Sequence, residues 1–103
     1  MSKSTHIIVY NDTRKSVNIG TKNFIGWLST EPLTPGETWT WDATDFFGNK
    51  YATNVWFKFG DDEIFAPLIS AGKYNLSKLL KVAKGFHKVG KIANLIDEIT
   101  GHL

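Results

Sequence analysis

Residues 51–69, YATNVWFKFGDDEIFAPLI, decide the fold class because they encode two strands and the turn between them. Residues 51–59 are rich in aromatic and β-branched side chains, which is typical of a strand. Gly60-Asp61-Asp62 has the composition of a tight turn, and residues 63–69 are predicted to be the hairpin partner. The segment therefore indicates an antiparallel sheet.

The segments on the N-terminal side of this hairpin also predict short strands. Thr5–Tyr10 (THIIVY) is β-branched and precedes a turn cluster, and residues 16–20 (SVNIG) alternate as a hairpin partner would. Residues 23–28 (NFIGWL) follow, and residues 31–36 (EPLTPG) predict a turn because proline cannot donate to a strand ladder. Residues 37–42 (ETWTWD) alternate again. Six or so strands without an intervening helix predict a mainly β fold, a small antiparallel β-sandwich.

The periodicity becomes helical after residue 74. One apolar arc is formed by Leu76, Leu79, Val82, Ala83, Phe86 and Val89. Lysines at positions 78, 81, 84, 88 and 91 lie on the opposite arc. The next apolar stripe, which includes Ile92, Leu95, Ile96 and Ile99, is displaced by more than ~100° from the first. An amphipathic C-terminal segment with a kink near Gly90 is therefore predicted.

Length and charge predict one domain with an uneven charge distribution. The 103 residues suffice for a single modest core, with the sandwich in residues 1–71 and a basic tail in residues 72–103. The tail holds six lysines and two acids, whereas residues 1–71 hold six basic and eight acidic side chains. This asymmetry indicates an anionic partner for the tail.

The sequence carries no pattern of a catalytic or cofactor site. It has no cysteine, and His6, His87 and His102 have no neighbour spaced like a metal or triad partner. Phosphate-binding glycine motifs are also absent from it. We therefore expect a protein that is not an enzyme and needs no cofactor.

One cluster of oxygen ligands could hold calcium. Asp42, Asp45 and Asn49 lie at a strand end and in the following loop. Their spacing lacks the alternation of a dedicated calcium loop, and Asp and Asn at such positions more often form turns. We retain the three residues as a metal candidate and expect turn formation.

The aromatic residues suggest a binding surface. We expect Trp27 and Trp56 to be buried in the core. The alternation of residues 37–42 places two tryptophans on one face of a strand that leads into an aromatic loop. The candidate ligand-binding residues are Trp39, Trp41, Phe46 and Phe47. Their rings could stack on a sugar or sit at the headgroup level of a bilayer.

The basic helix predicts contact with an anionic surface. The candidate membrane-contacting residues are Lys78, Lys81, Lys84, Phe86, Lys88 and Lys91. Nucleic acid is disfavoured as a partner, because Arg14 is the only arginine available for base contacts. In the structural alternative, the apolar face covers the sandwich and the lysines are only solvated.

Two segments resemble the actinoporin-like and aegerolysin-like β-sandwich cytolysins and lectins. These are HIIVYNDTRKSVNIG (residues 6–20) and GWLSTEPLTPGETWTWD (residues 26–42), with an amphipathic helix attached to a small sandwich. The resemblance covers about the first 60 residues. In actinoporin-like proteins the inserting helix is N-terminal, whereas here the amphipathic segment is C-terminal. The resemblance implies a sandwich that recognises a membrane or a glycan and is made without a signal peptide.

Three functions therefore stay open. The first is a non-enzymatic membrane-binding protein with cytolytic or defensive activity, in which the sandwich recognises a headgroup and the helix engages anionic lipid. The second is a lectin or adhesion module whose helix is structural or mediates homo-oligomer formation. The third is a module that binds or inhibits a partner protein. Because the N-terminus lacks a secretory apolar run, we expect a cytoplasmic protein, with release by a route other than secretion.

Overall fold

The chain forms two β-sheets followed by two helices, as described for residues 5–23, 25–43, 52–87 and 90–101 of the computed structural model. Within these residues the elements are β1 (Thr5–Tyr10), β2 (Val17–Lys22), β3 (Leu28–Leu33), β4 (Thr38–Ala43), β5 (Thr53–Phe59), β6 (Asp62–Ile69), β7 (Gly72–Asn75), α1 (Leu76–Phe86) and α2 (Gly90–Thr100). The predicted mainly β class with a helical C-terminal segment is confirmed.

The strands form a three-stranded sheet, β4-β1-β7, and a four-stranded sheet, β3-β2-β5-β6. All pairs are antiparallel except β1 and β7, which are parallel. Alternate side chains from both sheets point into one common core, as the period-2 pattern of β5 requires. Helix α1 packs against β6 and β7, one from each sheet, and so covers one side of the sandwich.

The hairpin predicted in residues 51–69 is present. Strands β5 and β6 pair from Phe59 and Asp62 onwards, and Gly60 adopts a φ of 61° in the turn. Towards the other end of the pair, the register shifts where Leu68 adopts a φ of 51°. Such a bulge turns a side chain away from its regular direction, and the Leu68 side chain is 76% exposed.

The first two strands do not form the predicted hairpin. Strand β1 pairs with β4 and β7, whereas β2 belongs to the other sheet. The connection between them is a crossing loop organised by Asn11, which is 1% exposed. Its Nδ2 donates to the carbonyl oxygens of Lys15 (2.8 Å) and Leu33 (2.9 Å), and its Oδ1 accepts from the Thr13 N–H (2.9 Å) and hydroxyl (2.7 Å). These bonds direct the chain from one sheet to the other.

Two further boundaries differ from the prediction. Asn23 and residues 25–27 lie outside the strands, and β3 begins only at Leu28. This strand, β3, includes Pro32, which was predicted to lie in a turn. Strand β3 lies at the edge of its sheet, where half of the backbone N–H groups point away from the partner, so proline is tolerated there.

The C-terminal segment contributes to the sheet as well as to the helices. Strand β7 falls within the part predicted to be tail, so seven strands rather than six are present among the described residues. Helix α1 ends at Phe86 and α2 begins at Gly90, which confirms a break near Gly90. In α2 the predicted stripe is confirmed, with Ile92, Ile96 and Ile99 buried.

Helix α1 is anchored at both ends by tertiary contacts. Its N-cap residue, Asn75, makes no side-chain capping bond. Instead, Asp12 of the crossing loop accepts from the Ser77 N–H (2.9 Å) and hydroxyl (2.5 Å). At the other end, the Nε2 atom of His87 accepts from the Phe65 N–H on β6 at 3.1 Å. The helix is therefore held in place by the sandwich.

The buried face of α1 is rotated from the predicted arc. Leu76, Leu79, Leu80 and Ala83 are buried, whereas Val82 is 41% and Phe86 is 58% exposed. The predicted inward position of Val82 and Phe86 is wrong, because α1 packs against β6, β7 and α2, and the side of the helix that is buried carries Leu80.

Candidate functional site

The β2–β3 loop projects two large apolar side chains into solvent. The Oδ1 atom of Asn23 accepts from the N–H groups of Ile25 (3.1 Å) and Trp27 (2.9 Å), and Gly26 adopts a φ of 85°. The backbone N–H of Asn23 also donates to the Trp27 carbonyl at 3.0 Å. Ile25 and Trp27 are each 72% exposed. The predicted burial of Trp27 is therefore wrong, because the Asn23 turn forces its side chain outward.

Trp27 borders an open groove of about 530 Å³, which we name the tryptophan groove. Its lining residues come from β2, the β2–β3 loop, β3, β4 and β5: Thr21, Lys22, Asn23, Trp27, Ser29, Trp41 and Thr53. Trp41 reaches this groove from the three-stranded sheet and is half-buried. The groove thus combines two indole rings with hydroxyl and amide groups.

A narrower cleft of about 190 Å³ continues between β3 and β4 and shares Thr21, Ser29 and Trp41 with the tryptophan groove. Gly20 lines this cleft and permits a close approach of strands β2 and β3. A Cβ atom at Gly20 would lie 1.8 Å from the Ser29 carbonyl oxygen. The absence of a side chain at Gly20 therefore allows Ser29 to lie between the tryptophan groove and the narrower cleft.

The only charged side chain among the described lining residues of the tryptophan groove is compensated. The ammonium of Lys22 lies 3.8 Å from the centroid of the Trp56 ring and 3.3 Å from Oε1 of Glu63. This cation–π contact and ion pair direct the charge toward the outer face of β5 and β6. The groove is thus suited to a neutral polar ligand. Trp56, predicted to be buried, is only half-buried there.

The other predicted aromatic ligand contacts are placed differently. Trp39 is 6% exposed and belongs to the core, and the small part of its surface that is exposed borders the narrower cleft. The alternation that puts Trp39 and Trp41 on one face is present, but that face is the inner one. Phe46 and Phe47 lie outside the described residues.

The predicted membrane-contacting lysines differ in their surroundings. Lys78 and Lys81 are exposed on α1. Lys84 forms an ion pair with Asp97, which joins α1 to α2, and Lys91 lies 3.5 Å from a carboxylate oxygen of Asp62. Lys88 lies outside the described residues. Phe86 is exposed but contacts the rings of Phe65 and His87 at centroid distances of 5.1 and 5.3 Å.

The calcium candidate is described only in part. The carboxylate of Asp42 contacts Nδ1 of His6, across the β1–β4 pair. Asp45 and Asn49 lie outside the described residues. Within the described ranges, no group of three or more His, Asp or Glu side chains is arranged to hold a metal ion.

Reasoning from the sequence missed Trp27, Thr21 and Ser29 as members of a site. One signal was available for Trp27, because Asn23 and Gly26 mark residues 23–27 as a hairpin loop that would expose its aromatic residue. No signal indicated that Trp41 would join them, because the neighbourhood of β3 and β4 arises only when the two sheets pack.

Two further observations bear on the predicted membrane role and family. Among the described residues, no helix has the length and apolar character needed to cross a bilayer. The resemblance to the β-sandwich cytolysins stays a prediction, since comparisons with known protein families, with curated proteins and with solved structures find no match.

Proposed function

We propose that the protein is a non-enzymatic carbohydrate-binding module whose binding site is the tryptophan groove. The observation that carries this proposal is that Trp27 and Trp41 line one open groove together with the side chains of Thr21, Ser29 and Asn23. Indole rings offer flat apolar faces to the C–H groups of a sugar ring, while hydroxyl and amide groups match its hydroxyls.

The loop supports this role because it holds Trp27 in place before a ligand arrives. Asn23 makes two side-chain bonds and two backbone bonds within five residues. A prearranged aromatic ring loses little conformational entropy on binding, which favours affinity.

Trp27→Ala tests the proposal without disturbing the core. Glycan array screening of the full chain identifies a bound sugar, and calorimetry then compares the variants. Because the ring is mostly exposed, folding should be unaffected, whereas affinity should fall at least about tenfold, equivalent to about 1.4 kcal/mol. Trp41→Ala is less suitable because Trp41 also packs against the core.

Ile25→Ala is the matched control, since Ile25 is equally exposed on the same loop but does not line the groove. It should bind sugar as the wild type does. Equal losses in both variants, or a wild type that retains no glycan on the array, would contradict carbohydrate binding in this groove.

A second candidate function is attachment to a membrane surface, favoured by the position of three exposed apolar side chains. Strands β2 and β6 are both antiparallel to β5, so the β2–β3 loop and the end of β6 lie at the same end of the sheet. Ile25, Trp27 and Leu68 project there and are each more than 70% exposed. Apolar side chains with a tryptophan suit the headgroup boundary of a membrane.

Leu68→Gly separates a membrane role from a structural one. A left-handed φ destabilises a leucine by about 1–2 kcal/mol but not a glycine, so the variant should be at least as stable as the wild type. On the membrane hypothesis it should nevertheless sediment less with vesicles of phosphatidylcholine and phosphatidylserine. The control is Val82→Ala, which removes an exposed apolar side chain from α1 without placing glycine in a helix. It should sediment with the vesicles as much as the wild type does. A wild type that stays in the supernatant would rule this function out.

A further inference from the structure

We propose that the outer face of the three-stranded sheet binds a phosphate or sulfate ester. An open groove of about 550 Å³ lies there, and we name it the lysine groove. Its lining residues are Ile8, Tyr10, Thr38, Lys73, Tyr74, Asn75 and Lys78. None of them lines the tryptophan groove, so the two proposals are independent.

The strand pairing brings these residues together from distant parts of the chain. In the parallel pair of β1 and β7, Ile8 lies opposite Lys73 and Tyr10 lies opposite Asn75. In the antiparallel pair of β1 and β4, Tyr10 lies opposite Thr38. Because Ile7 and Val9 point into the core, the alternate residues Ile8 and Tyr10 point outward with their partners.

The charge of the lysine groove is not compensated from within its lining. Lys73 and Lys78 both border it, and no carboxylate occurs among its described lining residues. Neither lysine forms an ion pair with another described residue, in contrast to Lys22, Lys84 and Lys91. Two ammonium groups that border one groove repel each other, and an anion between them would remove that cost.

The nearby carboxylate of Asp12 is already engaged, and this leaves a neutral donor for a ligand. Both oxygens of Asp12 accept hydrogen bonds from Ser77. Asp12 therefore serves the first turn of α1 in place of Asn75, whose side chain makes no capping bond. The Asn75 amide is left as a possible donor at the groove, where hydrogen bonds to a charged oxygen are stronger than neutral ones.

The remaining lining residues indicate that the anion is attached to an organic group. The Tyr10 ring is 46% exposed and lies beside Ile8, which gives the groove an apolar part next to its charges. Tyr74 lies opposite Val9 and packs against the core. Its hydroxyl donates to the Ser70 carbonyl at 2.9 Å, so the apolar part of the groove comes from Tyr10 and Ile8. A phosphate or sulfate ester has both the oxyanion and the apolar portion that this arrangement fits.

Titration of the isotope-labelled full chain with phenyl phosphate, followed by amide NMR, tests the proposal. The amide signals of Lys73, Asn75 and Lys78 should shift in a saturable manner. Lys73→Ala combined with Lys78→Ala should weaken binding at least about tenfold. The matched control combines Lys15→Ala with Lys58→Ala, which removes the same charge from exposed positions outside this groove, and it should bind as the wild type does.

The absence of saturable shifts, or an equal loss in the control, would overturn the proposal. All four lysines in these variants are exposed or border an open groove, so both variants should fold and give dispersed NMR spectra. If the Lys73→Ala, Lys78→Ala variant does not fold, Lys78→Gln alone provides a milder variant. Vesicles of phosphatidylcholine with phosphatidic acid then identify the source of the ester. Sedimentation that only the groove variant loses indicates a lipid headgroup, whereas phenyl phosphate binding without sedimentation indicates a soluble ester.

Discussion

Replacement of Asn11 by alanine is expected to lower the free energy of unfolding by about 4 kcal/mol, because several buried polar groups lose their partners together. The Asn11 side chain makes four hydrogen bonds and is 1% exposed. Its removal leaves the Leu33 carbonyl and the Thr13 N–H and hydroxyl without these bonds. A loss of this size is a large part of the stability of a small domain. Urea unfolding followed by tryptophan fluorescence measures it.

Asn18→Ala provides the control, since Asn18 is exposed on β2. It should change stability by less than about 0.5 kcal/mol, as surface substitutions usually do. The Asn11 bonds join the crossing loop after β1 to the end of β3, where the chain leaves the four-stranded sheet. A loss below about 1 kcal/mol for Asn11→Ala would show that this junction is not a major determinant of the fold.

Replacement of Leu80 by alanine is expected to cost about 3 kcal/mol, within the range for truncation of a fully buried leucine. Leu80 is 0% exposed on the side of α1 that faces the sandwich. Val82→Ala on the same helix should cost less than about 1 kcal/mol, because Val82 is 41% exposed and little apolar area is lost. Thermal unfolding of both variants provides the comparison. A larger loss for Val82→Ala than for Leu80→Ala would mean that the helix packs on its predicted arc instead.

This difference bears on how the protein could meet a membrane. If α1 turned its apolar face toward lipid, Leu76, Leu79 and Leu80 would leave the core, at a cost of about 1.5–3 kcal/mol each. That sum approaches the total stability of a small domain. The loop end with Ile25, Trp27 and Leu68 is already exposed and would contact lipid without unfolding. We therefore expect any membrane contact to begin there.

The sequence predicted best those features that depend on local periodicity. The hairpin of β5 and β6, the alternation of Trp39 and Trp41, and the break between α1 and α2 all follow from patterns within fewer than twenty residues. Side-chain direction along a strand or helix is set by backbone geometry, so such patterns can be read without knowledge of the fold. Two boundaries were predicted wrongly. A strand was predicted where residues 23 and 25–27 belong to a loop, and a turn was predicted at Pro32, which lies in an edge strand that tolerates proline.

The candidate sites were predicted only in part for a related reason. Trp41 was identified as a ligand-binding residue and does line the tryptophan groove, whereas Trp39 shares its face but is buried. Which of two tryptophans on one face is covered depends on what the opposite sheet places above it. Tyr10 and Lys73, at the lysine groove, are brought together by a parallel pairing that no local pattern announces.

The amino-acid sequence by itself determined the mainly β class, the helical C-terminal segment with its break, and the position of the tight hairpin. Only the tertiary structure decided that β1 and β2 belong to different sheets, that β7 completes one of them, and which side of α1 is buried. The reason is that a strand or helix pattern specifies one apolar face but not the partner that covers it. Many partners bury similar area, and the choice among them depends on specific polar contacts such as those of Asn11 and Asp12, which form only when distant segments meet.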